Sequence, residues 1–151
     1  MNKKIQKIPV ISDKHKSIQH FESTREYMGK KVISKSGDKA GSIKDVLFTD
    51  TGIKGMVVRK RFLKFYVDKS FFNTIADNAM LSIDPVLLLA GKEVFDADGK
   101  KLGKVKKVIR KGNSNNLDKI IVKKRIYSKG IEIPHSDIEV LKKNIILNKT
   151  Y

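Results

Sequence analysis

The chain contains 151 residues, no cysteine and a formal net charge of +17. Without cysteine it can form neither a disulfide framework nor a thiolate metal site. The charge favours contact with polyanions such as RNA, DNA or an anionic membrane face, although lysines spread over a solvated surface would give the same total.

The N-terminal segment is polar with isolated apolar side chains, and we predict that residues 1–22 form a flexible tail. Residues 1–10 are too polar for a secretory signal. The longest apolar run, Val86–Ala90, is far too short to span a bilayer. These segments predict a cytoplasmic protein without a transmembrane segment.

A duplication organises the rest of the chain. The motif Gly-Lys-x-Val at Gly29–Val32 recurs at Gly91–Val94, and 8 of the 20 residues from 29 to 48 are identical to those 62 positions later. The offset grows to 64 and then to 66 further along, with apolar positions still in register. Insertions confined to loops are what two copies of one fold would show. We therefore predict two tandem domains, residues 23–85 and 86–149.

Each copy is predicted to open with a β-hairpin. Ser36-Gly37 and Asp98-Gly99 are dipeptides of the kind that supply positive φ in tight turns. Short helical turns precede the hairpins and end on Gly29 and Gly91, which can adopt the left-handed conformation at a helix C-terminus. Three further strands are predicted in each copy, at 55–59, 65–67 and 79–83 and at 119–123, 131–133 and 145–148.

The returning strand of each hairpin has an irregular apolar spacing. Ile43 and Val46 are three residues apart, as are Val105 and Val108. Side chains three apart lie on opposite faces of a regular strand, so each copy needs one extra residue, a β-bulge, to bury both. Strongly twisted, bulged strands of this kind suit small β-barrels.

The order of these motifs resembles the PRC-barrel family, the small β-barrel of the photosynthetic reaction centre H subunit and of the bacterial ribosome maturation factor. The resemblance rests on Gly-Lys-x-Val, the glycine turn, the Gly-x-[Ile/Val]-Lys-x-Val strand and the closing segment Ile133–Ile138, and it covers about residues 23–149 in two copies. It implies a mostly β fold, with two tandem PRC-type barrels and short helical turns packed as a pseudo-symmetric pair. In the first copy, Val67–Ser70 departs from the Ile-Pro pattern of the closing segment.

The sequence contains no recognisable catalytic or metal-binding motif. His15, His20 and His135 lack the spacing of a metal pair. Asp96–Gly99 begins like a calcium loop, but Lys107 stands where that loop needs its glutamate. The resemblance likewise implies a non-catalytic docking module, so we predict no catalytic, metal or cofactor site and no enzyme.

A basic cluster in the second copy is the first candidate binding site. Adjacent antiparallel strands lie about 5 Å apart, so lysines on two of them could form one patch that tracks phosphates. A merely solvated face is the alternative. The candidate residues are Lys100, Lys101, Lys104, Lys106, Lys107, Arg110, Lys111, Lys123, Lys124 and Arg125.

An aromatic cluster in the first copy is the second candidate. One interpretation is that these residues fill the barrel core and the seam between the copies, which two undersized units need. The other is an exposed protein-docking face with a basic rim. The residues are Phe62, Phe65, Tyr66, Phe71 and Phe72.

The sequence therefore predicts a non-enzymatic adaptor that binds a protein partner in an intracellular assembly. The resemblance offers the archaeal cell-division apparatus as one such assembly, and a homo-oligomer is a further expectation. The alternative is an RNA- or ribosome-associated factor that uses the basic cluster of the second copy. A steep loss of RNA binding with added salt would distinguish this alternative from the adaptor.

Overall fold

A computed structural model describes residues 22–151 and Ile11. The described residues are mostly β, with helical residues only in short 3-10 turns, as predicted. The chain divides between Asp84 and Pro85 into two compact units, unit 1 and unit 2. The predicted tail falls almost entirely outside the described residues. No helix among those described is long and apolar enough to cross a membrane.

Unit 1 contains one six-stranded sheet in the order β4-β3-β2-β1-β6-β5. The edge strands β4 and β5 are consecutive in the chain and are joined by a single 3-10 turn, Lys69–Phe71. A link of three residues holds the two edges close at that point, so the sheet must curl. Its strands are β1 (Lys31–Ile33), β2 (Lys39–Thr49), β3 (Gly52–Lys60), β4 (Leu63–Asp68), β5 (Phe72–Ile75) and β6 (Ala79–Leu81).

Unit 2 repeats this topology in the order β10-β9-β8-β7-β12-β11, which confirms the duplication. Each unit has six strands where five were predicted. The strands that sequence reasoning missed, β5 and β11, are four residues long and start directly after a 3-10 turn. The strands of unit 2 are β7 (Glu93–Phe95), β8 (Lys101–Arg110), β9 (Leu117–Lys123), β10 (Ile131–Pro134), β11 (Ile138–Leu141) and β12 (Ile145–Leu147).

Both predicted β-bulges are present. The pairing of β2 with β3 shifts register between Ile43 and Asp45, and the pairing of β8 with β9 shifts between Val105 and Lys107. The extra residue lets Ile43 and Val46 both reach the core, although they are three apart.

Each unit has its own aliphatic core on the inner face of its sheet. The fully buried side chains alternate with exposed ones along the strands, as period-two patterning requires. Burying each of them contributes about 1.5–3 kcal/mol relative to exposure. The largest are Val32, Ile43, Met56, Val58 and Leu81 in unit 1, and Val94, Val105, Ile120, Val122, Ile133, Ile145 and Leu147 in unit 2.

The segment Val67–Ser70 of unit 1, which departs from the Ile-Pro pattern in sequence, has the same backbone conformation as the closing segment of unit 2. Asp68 has φ −62° and ψ 147°, close to the φ −70° and ψ 155° of Pro134, and each residue precedes a 3-10 turn. The Asp68 carboxylate accepts a hydrogen bond of 2.9 Å from the Ser70 amide. A side-chain cap therefore achieves in unit 1 what the fixed φ of proline achieves in unit 2.

Candidate functional site

A basic groove lies in unit 2 where β8 crosses the end of β9. Its volume is about 480 Å³. We name it the unit 2 groove, and the cations that line it are Lys101, Lys104, Lys106, Lys123, Lys124 and Arg125.

Local strand geometry builds this groove. Gly103 has φ 145°, and a Cβ atom there would lie 2.3 Å from the Lys123 carbonyl oxygen. Only glycine permits so close an approach of the two strands. Lys104 and Lys106 are exposed on either side of buried Val105, so both lie on the outer face of the sheet, and Lys104 is paired directly with Lys123.

Most cations of the unit 2 groove form no salt bridge within the described residues 22–151, although Glu93 is paired across the strands with Lys104. Lys101 Nζ lies 2.6 Å from Glu93 Oε1. Within residues 22–151, no salt bridge involves the other five. Because the Debye length in physiological salt is about 8 Å, these neighbouring charges repel one another. A bound anion would relieve that repulsion.

Four of the ten predicted basic residues lie outside the groove. Lys100, Lys107 and Lys111 do not line it. The guanidinium of Arg110 donates to the carbonyl oxygens of Asn113 and Ser114, at 3.3 and 3.2 Å. Arg110 is therefore occupied in holding the turn after β8, and the structure brings six of the ten candidates together.

An equivalent groove in unit 1 was missed by sequence reasoning. Its volume is about 490 Å³. Gly41 has φ 143°, and its Cβ position lies 2.5 Å from the Arg59 carbonyl oxygen, as at Gly103. The repeat alignment contained the signal, since every lining cation matches a basic residue of the second copy. These cations of the unit 1 groove are Lys39, Lys44, Arg59, Lys60 and Arg61.

The aromatic cluster of unit 1 is split by the structure. Phe65 is buried and Phe72 is half-buried, as expected of core residues. Phe62, Tyr66 and Phe71 are exposed, by 99, 48 and 37%. Burial thus agrees with the core interpretation for Phe65 and Phe72, whereas the docking face and the seam between the copies stay predictions.

An apolar strip on the outer face of unit 1 includes Tyr66. Val57 is paired with Tyr66, and Leu47 is paired with Gly55, two residues before Val57 on β3. We name Leu47, Val57 and Tyr66 the outer apolar strip. The ring of Tyr66 covers Gly55, where an added Cβ would lie 2.5 Å from the ring.

The hydroxyl group of Tyr66 is anchored within this strip. It donates to the Lys54 carbonyl oxygen at 2.9 Å and lies 3.4 Å from an Asp68 carboxylate oxygen. Partial burial, followed by the charge of Asp68, raises the pKa of Tyr66. The ring is therefore held as a neutral, flat and partly exposed surface at physiological pH.

The same positions in unit 2 are charged. In the repeat alignment, Lys119 corresponds to Gly55 and Glu132 corresponds to Tyr66. Lys119 Nζ lies 2.7 Å from Glu132 Oε2, and this contact raises the pKa of Lys119. Unit 2 therefore presents an ion pair to solvent where unit 1 presents an aromatic ring.

A polar cluster secures the last residues of unit 2. Asp137 is buried, with one carboxylate oxygen 2.7 Å from Lys149 Nζ and the other accepting from the Tyr151 hydroxyl at 2.5 Å. The bond from Lys149, then that from Tyr151, lowers the pKa of Asp137. Burial and the carboxylate raise the pKa of Tyr151 to about 12. This arrangement is structural, because it satisfies a buried charge.

Comparison with known protein families identifies the second unit. Residues 88–151 match the PRC-barrel domain family. The second unit is a PRC-barrel domain. Unit 1 has the same strand order and the same bulge, which is consistent with a tandem PRC-barrel arrangement. A search of curated proteins gave no significant match.

The PRC-barrel family is a non-catalytic domain family that points to protein interaction. Among the described residues, no group of three or more histidine or acidic side chains could hold a metal ion. The surfaces that the PRC-barrel fold positions here are the two basic grooves and the outer apolar strip.

Proposed function

We propose that the protein is a non-enzymatic PRC-barrel adaptor that docks a protein partner, in a cytoplasmic assembly, through the outer apolar strip of unit 1. The observation that carries this proposal is the exposed ring of Tyr66 over Gly55. PRC-barrel membership supports an interaction role. A partly exposed, rigid aromatic with a fixed hydroxyl is also typical of interface anchors.

Charge indicates the chemistry of the partner. Residues 29–90 carry 11 basic and 6 acidic side chains. Arg59 and Lys64, paired with each other on β3 and β4, are exposed on the face that holds Tyr66. Asp45 and Asp68 lie on the same face, so the strip is bordered by charges of both signs. The complementary partner is a protein with an apolar centre and with carboxylates opposite Arg59 and Lys64, since opposite potentials across an interface steer association. An assembly of the archaeal cell-division type fits this proposal.

The test compares capture by matched variants. Leu47→Lys with Tyr66→Glu removes the strip without changing net charge. Ile109→Lys with Ile146→Glu makes the same charge changes in unit 2. Each chain, tagged at its N-terminus, is used to capture partners from nuclease-treated native lysate. The captured acidic protein is then purified and titrated against each variant.

We expect an acidic partner that binds the unaltered chain and the unit 2 control equally, and that binds the strip variant at least about tenfold more weakly. Equal binding to all three chains would contradict the proposal. So would concentration-dependent dimerisation that the strip variant abolishes, because a second copy of the chain would then cover the strip.

A second candidate function is favoured by the unit 2 groove. Six cations line one groove of about 480 Å³, and five of them form no salt bridge within residues 22–151. We propose RNA association through this groove as the alternative to the adaptor role. Binding to a short RNA should fall steeply between low and physiological salt, because each phosphate contact releases counterions. No retention of RNA at any salt concentration would rule this function out.

A further inference from the structure

We propose that the unit 1 groove is a second nucleic-acid site equivalent to the unit 2 groove. Each groove would hold the phosphodiester backbone of a single strand while an exposed aromatic residue beside it stacks on a base. This inference rests on the second candidate function, RNA association through the unit 2 groove. It extends that function to unit 1, which contains none of the basic residues predicted from the sequence.

The two grooves retain positive charge at corresponding positions. All five cations of the unit 1 groove match a cation of the unit 2 groove in the repeat alignment. The pairs are Lys39 with Lys101, Lys44 with Lys106, Arg59 with Lys123, Lys60 with Lys124 and Arg61 with Arg125.

Outside the grooves, one matched pair of charges is retained, Lys30 with Lys92, whereas several other positions change sign. Asp38 corresponds to Lys100, and Asp45 corresponds to Lys107, so both positions change sign. These two pairs lie on the same strands or turns as groove residues but do not line either groove. Retained positive charge is therefore concentrated in the grooves, with five matched pairs there and one outside them.

The unit 1 groove is at least as free of internal neutralisation as its counterpart. Within residues 22–151, no salt bridge involves any of its five cations. Lys101 of unit 2 pairs with Glu93, but the position matching Glu93 in unit 1 is Lys31. An anion entering the unit 1 groove thus displaces no carboxylate.

Each groove is followed in the chain by an exposed aromatic residue. Phe62, 99% exposed, directly follows Arg61 in the turn between β3 and β4. Tyr127, 98% exposed, directly follows Ile126, which lines the unit 2 groove. Almost complete exposure excludes a packing role for either ring.

The turn that carries Phe62 is held in an unusual conformation. Arg61 is the one non-glycine residue with positive φ, 53°, within the described part of the chain. Arg59 Nε donates to the Arg61 carbonyl oxygen at 3.0 Å. Lys60 and Leu63 are paired, so Arg61 and Phe62 form a two-residue hairpin turn, which requires positive φ at its first residue. This tight turn holds Phe62 directly beside the groove cation Arg61.

Cations beside an exposed ring favour a single-stranded nucleic acid over an acidic protein segment. Lysine and arginine chains contact successive phosphates, and aromatic rings stack on bases without regard to sequence. An acidic peptide would use the cations but not the rings. The exposed rings therefore favour a single-stranded nucleic acid over an acidic peptide as the ligand.

The experiment measures binding of the full chain to fluorescent oligo(rU) over a range of salt concentrations. The groove 1 variant is Arg59→Gln, Lys60→Gln and Arg61→Gln, and the groove 2 variant is Lys123→Gln, Lys124→Gln and Arg125→Gln. The control variant removes three exposed lysines of unit 1 that line neither groove, as Lys35→Gln, Lys54→Gln and Lys69→Gln.

We expect each groove variant to reduce the slope of log affinity against log salt by about 2, because each phosphate contact to a single strand contributes about 0.7. The control variant should change the slope much less. Lys39→Gln with Lys44→Gln provides a second test of the unit 1 groove on a different strand. Circular dichroism spectra verify that the variants are folded.

Two further arms identify the ligand. Phe62→Ala and Tyr127→Ala should each weaken oligo(rU) binding by about tenfold, within the range measured for loss of one stacked base. Repeating the titration with oligo(dT) shows whether the grooves bind DNA, RNA or both. Binding of either nucleic acid supports the proposal that the grooves hold a phosphodiester backbone. Polyglutamate that binds as tightly as oligo(rU), with no effect of either aromatic variant, would overturn the assignment to nucleic acid.

The outcomes separate this inference from the function on which it rests. A groove 1 variant that behaves like the control, beside a groove 2 variant that loses affinity, overturns the second site and leaves RNA association standing. No binding by the unaltered chain at low salt overturns both. Loss of slope in both groove variants supports both.

Discussion

The two units of this protein share a backbone and differ most on the outer face of the sheet. In unit 1 the ring of Tyr66 lies over Gly55, and in unit 2 the corresponding residues form the Lys119–Glu132 ion pair. Both arrangements cover the same patch of the same strands. The difference teaches that the fold does not depend on what this patch contains, and hence that the patch is available for function.

The two basic grooves, in contrast to the outer faces, are similar in the two units. Their glycines, Gly41 and Gly103, have nearly the same φ, and five of the six cations in the unit 2 groove match a cation of the unit 1 groove; the sixth, Lys104, corresponds to Ser42. The units thus share the groove in its architecture and in most of its charge. In the outer apolar strip, Leu47 and Val57 match the apolar Ile109 and Ile121, and only the ring of Tyr66 is specific to unit 1. The following predictions test this division, starting from the largest expected effect.

The shared strand crossing should be intolerant of any side chain. Gly103→Ala would place Cβ 2.3 Å from the Lys123 carbonyl oxygen, and Gly41→Ala would do the same to Arg59 at 2.5 Å. Steric overlap with the backbone and positive φ together should lower the free energy of unfolding of the altered unit by about 3 kcal/mol or more. Hydrogen exchange followed by peptide mass spectrometry reports each unit separately.

A matched control separates steric overlap from φ alone. Gly99 has φ 80° and nothing within 4 Å of its Cβ position. Gly99→Ala should therefore cost only about 1 kcal/mol. Equal losses at Gly99 and Gly103 would mean that the close approach of β8 and β9 has no energetic importance.

The acid response should differ between the units. Because the pKa of Asp137 is lowered in the folded state, its contribution to stability is complete above the ordinary value of 3.8 and is lost as pH falls through the lowered pKa. The corresponding residue in unit 1 is Phe71, and the carboxylates of unit 1 with lowered pKa, Asp68 and Asp84, are held chiefly by hydrogen bonds from serines, whereas Asp137 is held chiefly by Lys149. Exchange protection in unit 2 should therefore fall below about pH 4 in part because Asp137 is protonated.

Asp137→Asn tests this assignment. The variant loses the charged contact with Lys149, so unit 2 should be less stable at pH 7 and its stability should depend less on pH in the acid range. Unit 1 of the same chain is the internal control. If the pH dependence of exchange protection in unit 2 is the same in the variant as in the unaltered chain, other carboxylates cause the acid sensitivity of unit 2.

Local sequence signals predicted the parts of this structure that depend on local geometry. The positive φ of Gly37 and Gly99 and the bulge after Ile43 each follow from a few neighbouring residues. The strands β5 and β11 were missed because four residues after a turn carry little periodicity.

Sites that need pairing across strands were predicted less well. The unit 1 groove was missed because the excess of basic residues is concentrated in the second copy, whereas this groove joins a few cations about 20 positions apart, such as Lys39 and Arg59. The contact of Tyr66 with Gly55 likewise requires the register of β3 against β4. Register is a tertiary property that sequence patterns specify only indirectly.

The smallest expected effect compares the outer faces directly. Tyr66→Phe removes the hydrogen bond to the Lys54 carbonyl but keeps the ring over Gly55, and it should lower the free energy of unfolding by about 0.5–1 kcal/mol. Glu132→Gln removes the ion pair of unit 2. Since exposed ion pairs are screened, the effect of Glu132→Gln should vanish in 1 M salt, whereas that of Tyr66→Phe should persist. Urea unfolding at low and high salt checks both, and a salt-sensitive Tyr66→Phe would show that Asp68, and not the backbone carbonyl, is the principal partner of the hydroxyl group.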